Sequence, residues 1–170
     1  MKKVIGGVLL AALCVLGCDD EKEEAPAAPP GTMIVKLNGV SLTPSTTIAA
    51  HAELAGNGLV VQAWFLTGGT AAEEGMVNLF LINAGVGRFE LRGDGSFATD
   101  PPGSATYSIL GKHIYQSWAV DETIVGNITI TKIDENNELA SGTFEFKLKD
   151  ANSSEVIEMT EGSFTDLPLL

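Results

Sequence analysis

"MIVKLNGVSL", residues 33–42, is the stretch that sets the fold class. Asn38 and Gly39 tolerate the two positive-φ conformations of a type I′ turn, and alternating apolar residues flank them. A two-residue loop there sets Leu37 opposite Val40 and Val35 opposite Leu42. All four then share one face of a hairpin, with Lys36 and Ser41 on the other. Turn chemistry and apolar pattern ask for the same register, so the segment reads as an antiparallel pair.

The same two-residue period recurs downstream. "TTIAAHAEL" (46–54) sets Ile48, Ala50, Ala52 and Leu54 against His51 and Glu53, and "GNG" (56–58) turns it into "LVVQAWFLT". "MVNLFLIN" (76–83) and "GRFEL" (87–91) read as further strands. "SATYSIL" (104–110) and "HIYQSWAV" (113–120) are expected to pair across Gly111-Lys112. "NITITKI" (127–133) alternates Ile with Thr. "GTFEFKLK" (142–149) sets Phe144, Phe146 and Leu148 against Glu145, Lys147 and Lys149, and "VIEMTEGSF" (156–164) closes the domain. Turn residues recur about every ten positions, and only "TAAEEG" (70–75) suggests even one helical turn. The expected fold is all-β, an antiparallel β-sandwich of about nine to ten strands, with a closed β-barrel as the alternative.

The chain's first residues follow a different logic. "MKK" is cationic, and Val4–Leu16 is an apolar run of thirteen residues. That is the layout of a secretory signal peptide, and it falls short of the ~20 residues a membrane-spanning helix needs. "Val15-Leu16-Gly17-Cys18" resembles a bacterial lipobox, in which a lipoprotein signal peptidase cuts before the cysteine. Residues 1–17 are therefore expected to be a lipoprotein signal peptide, cleaved between Gly17 and Cys18, with Cys18 lipidated. Cys14 is the competing cysteine, but bulky Leu13 precedes it. Several acyl chains hold a protein durably on a membrane, since each buried CH₂ contributes about 0.8 kcal/mol.

Residues 18–31 read as a tether. "DDEKEEAPAAPPG" (19–31) carries no apolar side chain larger than Ala or Pro, and so has little to bury. Extended at about 3.1 Å per residue, it would hold residues 32–170, the expected domain, roughly 40 Å from its anchor.

Composition excludes some partners. The chain carries 10 Lys+Arg against 22 Asp+Glu, a net charge of −12, and loss of Lys2 and Lys3 with the signal peptide takes this to −14. Nucleic-acid binders need basic patches, so nucleic acid is not an expected partner. Cys18 would be the one cysteine left and would be capped, so no internal disulfide is expected.

Four stretches resemble a group of small uncharacterised lipoproteins of Bacteroidota-type bacteria. One is the opening "M33-I-V-K-L-N-G39". The others are "G126-N-I-T-I-T-K-I-D" and the closing pair "S141-G-T-F-E-F" and "M159-T-E-G-S-F". Met33 and Leu42 stand where that group often has aromatics. The resemblance implies a β-rich, lipid-anchored envelope protein. Asp19, next to the lipidated cysteine, would favour the inner membrane under enteric sorting rules, whereas the resemblance, in which acids after the cysteine look like a surface-export signal, implies the outer membrane and its outer face. It brings no activity with it.

No residue pattern points to catalysis or a cofactor. His51 and His113 are far apart, without HExxH or HxH spacing, and read as solvated. No GxSxG elbow accompanies the serines. Glu73-Glu74, Asp121-Glu122 and Asp134-Glu135 read as loop charge. "RGDGS" (92–96) and "DENNE" (134–138) read as hairpin turns rather than calcium loops. The aromatic residues Trp64, Trp118, Tyr107 and Tyr115 are the weak candidates for ligand binding. Trp64 lies in an apolar run and Trp118 alternates with Ile114 and Val120, so both are expected in the core.

The expected function is non-enzymatic: a membrane-anchored envelope module that binds a protein or glycan partner or serves structurally. A barrel-type carrier of an apolar ligand is the alternative, because Ala49, Ala50, Ala52, Ala55 and Ala63 would leave space inside. A hydrolase of envelope polymers is a third reading.

Overall fold

The structure, a computed structural model, describes residues 25–45, 49–66, 74–93 and 103–170. The expected signal peptide, Cys18 and the first part of the tether lie outside the described residues, as does most of "RGDGS" and "TAAEEG". The strands are β1 (Thr32–Leu37), β2 (Val40–Ser41), β3 (Thr43–Pro44), β4 (His51–Ala55), β5 (Gly58–Leu66) and β6 (Glu74–Ile82). They continue as β7 (Gly87–Leu91), β8 (Gly103–Ile109), β9 (His113–Gln116), β10 (Gly126–Asp134), β11 (Leu139–Asp150) and β12 (Val156–Pro168). The excess over nine or ten is β2 and β3, two residues each, which bend the end of the first hairpin from one sheet to the other.

Every ladder is antiparallel. One sheet runs β2-β1-β12-β11-β10-β7. The other runs β4-β5-β6-β8-β9, with β3 beside the far end of β5. The end of β11 joins them, where Lys149 and Asp150 pair with Gln116 and Tyr115. The result is one continuous sheet folded on itself as a sandwich and not closed into a barrel. Met33, Val35, Ile128, Ile130, Phe144 and Phe164 from the first sheet share a buried core with Leu59, Val61, Phe65, Leu79 and Tyr107 from the second.

The opening hairpin has the register its sequence demands. Leu37 pairs with Val40, the Leu42 N–H donates to Val35 O, and Asn38 and Gly39 have φ of 47° and 79°. Val40 nonetheless stays 69% exposed, because β2 is the sheet's edge and ends before the core reaches it.

Two expected strands end elsewhere. "HIYQSWAV" stops as a strand at Gln116, and Ser117–Ala119 form a 3₁₀ turn in which Ser117 Oγ accepts the Ala105 N–H at 3.1 Å. The last strand runs on from Phe164 to Pro168. It bulges twice against β11, at positions where Glu161 and Asp166 adopt φ of 50° and 47°. The second bulge is pinned by Ser141, whose Oγ accepts the Asp166 N–H at 2.9 Å, while Lys132 Nζ reaches Asp166 Oδ1 at 3.1 Å. Bulges of this kind bend a long strand around a core.

The end of the tether lies on the domain. Ser163 Oγ donates to Pro26 O at 2.6 Å, Gly31 N–H donates to Thr165 O at 2.7 Å, and Ala28 is buried. Residues 26–31, which composition alone assigns to a spacer, are thus held against β12.

Candidate functional site

The outer faces of the two sheets differ in chemistry. Strand alternation sends every second residue of β5 inward: Leu59, Val61, Ala63 and Phe65 are buried. The alternate set, Val60, Gln62 and Trp64, points out. Directly paired residues of an antiparallel ladder lie on the same side, so the register places the outward residues in rows. Gln62 pairs with Asn78, Asn78 with Thr106, and Thr106 with Gln116. His51 and Lys149 close this row at its two ends.

On one side of the row Trp64 pairs with Met76, Met76 with Ser108, and Ser108 with Ile114. On the other, Val60 pairs with Phe80, and Phe80 with Ser104. The centre of this face therefore holds amides and a hydroxyl, apolar side chains with Ser104 and Ser108 flank it, and His51, Glu53, Glu74 and Lys149 stand at its margins. Phe80 is 37% exposed and Ile114 49%, while Gln62, Trp64, Asn78, Thr106 and Gln116 are half-buried against one another. Asn78 Oδ1 is covered and has no hydrogen-bond partner among the described residues.

The first sheet's outer face is charged. Lys36 pairs with Glu161 at 2.5 Å, Lys132 with Asp166 at 3.1 Å, and Lys147, on β11, with Glu122 at 2.9 Å. Glu122 holds the Lys147 ammonium above the ordinary lysine value, first through its hydrogen bond and then through its charge.

A second cluster gathers at the end of the sandwich where β9 meets β11. His113 Nδ1 lies 2.8 Å from Asp150 Oδ2, and Asp150 is only 3% exposed. The His113 ring stacks on Tyr115 at 5.6 Å, and Tyr115 lies 6.2 Å from Tyr107. Asp150 is held below the usual carboxylate range, chiefly by the hydrogen bond to His113 and next by the Asn152 N–H, at 2.7 Å. Burial pushes both tyrosines up to about 12, aided at Tyr115 by its hydrogen bond to Glu155. The 150–155 loop is ordered at both ends of this residue: the Asp150 carboxylate accepts the Asn152 N–H, and the Asp150 N–H donates to Glu155 O at 2.9 Å. The Asp–His pair has the orientation of a base and its orienting acid, but no hydroxyl nucleophile is placed on His113 among the described residues.

These positions revise several sequence expectations. His113 is half-exposed, as a solvated ring would be, but it is also partnered and stacked, because Asp150, distant in sequence, comes from the neighbouring strand. Trp64 belongs to the outer face, not the core: Gln62, the one polar residue in "VVQAWFL", fixes the strand's phase. Trp118 lies half-buried on the 3₁₀ turn instead of alternating along a strand. Tyr107 and Tyr115 are buried between the sheets and stack with each other, so neither offers a face to a ligand. Of the four aromatics, only Trp64 stands in the outer-face rows. Gln62, Asn78, Thr106 and Gln116 were not singled out from sequence. The available signal was an amide or hydroxyl at the outward phase of each of four strands, joined in β8 by Ser104 and Ser108.

"DENNE" forms the β10–β11 turn. Asp134 accepts the Asn137 side-chain amide and backbone N–H at 2.8 and 3.0 Å, which hold its carboxyl below the ordinary value. Among the described residues no group of three His, Cys, Asp or Glu side chains is placed to hold a metal. No described helix is long and apolar enough to cross a membrane.

A family model for a domain of unknown function, DUF6252, matches residues 46–168. The chain belongs to the DUF6252 family. No curated protein and no solved structure matches it. The matched span of the DUF6252 domain begins after β3, so the opening hairpin lies outside it, although β1 pairs along β12 within the sandwich. The glycines of the closing motifs have a packing reason. Gly142 pairs with Phe164 and Gly162 with Phe144, and each ring covers the opposite glycine.

Proposed function

We propose that this DUF6252 chain is a lipid-anchored lipoprotein of the bacterial cell envelope whose β-sandwich acts as a binding module. The observation that carries the binding reading is the contrast between the two outer faces. In a chain of net charge −12, one sheet presents paired charges and the other an uncharged centre flanked by Trp64, Met76, Val60 and Phe80. The anchor reading is supported by the Gly17-Cys18 lipobox and the acidic, Pro-containing residues that follow it. The resemblance to Bacteroidota-type lipoproteins favours the outer membrane, facing outward.

The carrier reading draws less support. Ala49, Ala50 and Ala63 do line a pocket, with Met33 and Trp64, but its volume is about 80 Å³. Pockets for drug-sized ligands run to about 300 Å³ or more.

Metabolic labelling with an alkynyl fatty acid tests the anchor in the full chain. Label should be lost in Cys18→Ala and kept in Cys14→Ala. Label that survives Cys18→Ala overturns the assignment. Protease shaving of intact cells then reports the face: digestion of the domain without lysis supports surface display, and protection opposes it.

A further inference from the structure

We propose that the outer face of the β4-β5-β6-β8-β9 sheet binds a neutral glycan, with its chain lying along the Gln62-Asn78-Thr106-Gln116 row. The proposal deepens the binding-module reading and rests on it.

The chemistry of the row selects the ligand. Each strand contributes one amide or hydroxyl, groups that donate and accept hydrogen bonds without charge. A sugar presents the same pairing around its ring, hydroxyls that both donate and accept. Strands lie about 4.8 Å apart, so the four side chains span about 14 Å, the length of a short oligosaccharide. Asn78 Oδ1, at the centre, lacks a partner among the described residues and would take a hydroxyl hydrogen once its neighbours shift. Trp64 and Phe80 flank the row on opposite sides, each with an apolar ring to set against the C–H faces of a pyranose.

The arrangement fits other occupants less well. Protein interfaces concentrate apolar residues at the centre; this face holds amides and a hydroxyl there. A second copy would bring together two chains of net charge −12. Acidic polymers meet the same repulsion, and a cationic partner finds only Glu53 and Glu74, at the margins of this face, and none along the row. A neutral ligand loses nothing to the chain's field.

Native affinity electrophoresis of the full chain in mild detergent tests this. The gels would contain β-glucan, galactomannan, xylan or starch, with pectin and heparin as acidic controls. At least one neutral polymer should retard the protein, and Trp64→Ala should weaken that binding about tenfold or more. Gln62→Ala and Gln116→Ala should each weaken it several-fold, with far-UV circular dichroism unchanged. No retardation by any neutral polymer overturns the proposal, as does retardation that Trp64→Ala and Gln116→Ala leave intact. Dimerisation in the ultracentrifuge that Phe80→Lys abolishes would also overturn it, assigning the face to a second copy. That outcome would leave the binding-module reading standing, whereas a face whose variants alter no association of any kind would remove both.

Discussion

Phe144 and Gly162 face each other across β11 and β12, and the ring fills the space a side chain on Gly162 would need. A Cβ there would stand 2.3 Å from Phe144 Cε2. Two residues along, the roles exchange: Phe164 covers Gly142, whose Cβ would stand 2.6 Å from Phe164 Cζ. The Gly-x-Phe spacing in both strands is what makes the exchange possible, because antiparallel pairing sets each Phe against the other's Gly.

Gly162→Ala should therefore force the Phe144 ring from its place, and overpacking of this kind costs about 1–3 kcal/mol. Urea unfolding reads the loss. Phe144→Leu in the same chain removes the clashing ring edge, so the double variant should be more stable than the sum of the single effects predicts. Strict additivity would show that the ring and the glycine do not share this space.

Ser163 lies between those partners in sequence, on the opposite side of the strand. Its hydroxyl is buried and donates to Pro26 O at 2.6 Å. Ser163→Ala should cost about 1 kcal/mol, the net worth of one such bond. It should also speed hydrogen exchange at the Gly31 and Thr32 amides, which donate to Thr165 O and Pro29 O. Exchange that stays at the parent rate would mean that the tether's end is held by something other than this bond.

The Asp150–His113 pair gives the domain a pH dependence of fixed sign. Folding lowers the Asp150 carboxyl. The stability this contributes is complete above the ordinary aspartate value of about 3.9 and is lost as pH falls through the lower folded value. Asp150→Asn should lower the melting temperature at pH 7, and the gap to the parent should close in acid. His113→Ala removes the largest cause of the shift, so its melting temperature should fall less as pH drops below about 4 than the parent's does. A gap that persists unchanged in acid would show that the carboxylate's charge is not what matters.

Much of the fold was legible because period and turn chemistry agree. Asn38-Gly39 and the alternation of β1 and β2 define one register, and the structure has it. Ile128 and Ile130, and Phe144 and Phe146, are buried as their alternation requires. Strand ends were less legible, because they depend on remote partners. Ser117 leaves β9 to accept the Ala105 N–H, and β12 extends past Phe164 because Ser141, Lys132 and Asp166 pin a bulge. The outer-face row was missed for a similar reason. Gln62, Asn78, Thr106 and Gln116 lie in four separate strands, and only the pairing of those strands makes them neighbours.

Tyr107 and Tyr115 are the chain's two tyrosines, and both titrate upward, to about 12. All phenolate absorbance therefore reports on the β8–β9 stack. In the folded protein that absorbance should rise with a midpoint near pH 12, and in denaturant near the ordinary value of about 10. A raised folded value means that the contribution to stability is complete below pH ~10 and is lost as pH climbs toward the folded value, so alkali should unfold the domain. Tyr107→Phe separates the two rings. The Tyr107 hydroxyl is buried beside Gly75 without a hydrogen-bond partner among the described residues. Removing it takes away an unsatisfied polar group, so stability at pH 7 should hold or rise, by about 1 kcal/mol at most. The alkaline limb should move to higher pH, because one of the two groups whose ionisation drives unfolding has gone. A marked loss of stability at pH 7 would show instead that the hydroxyl is bonded.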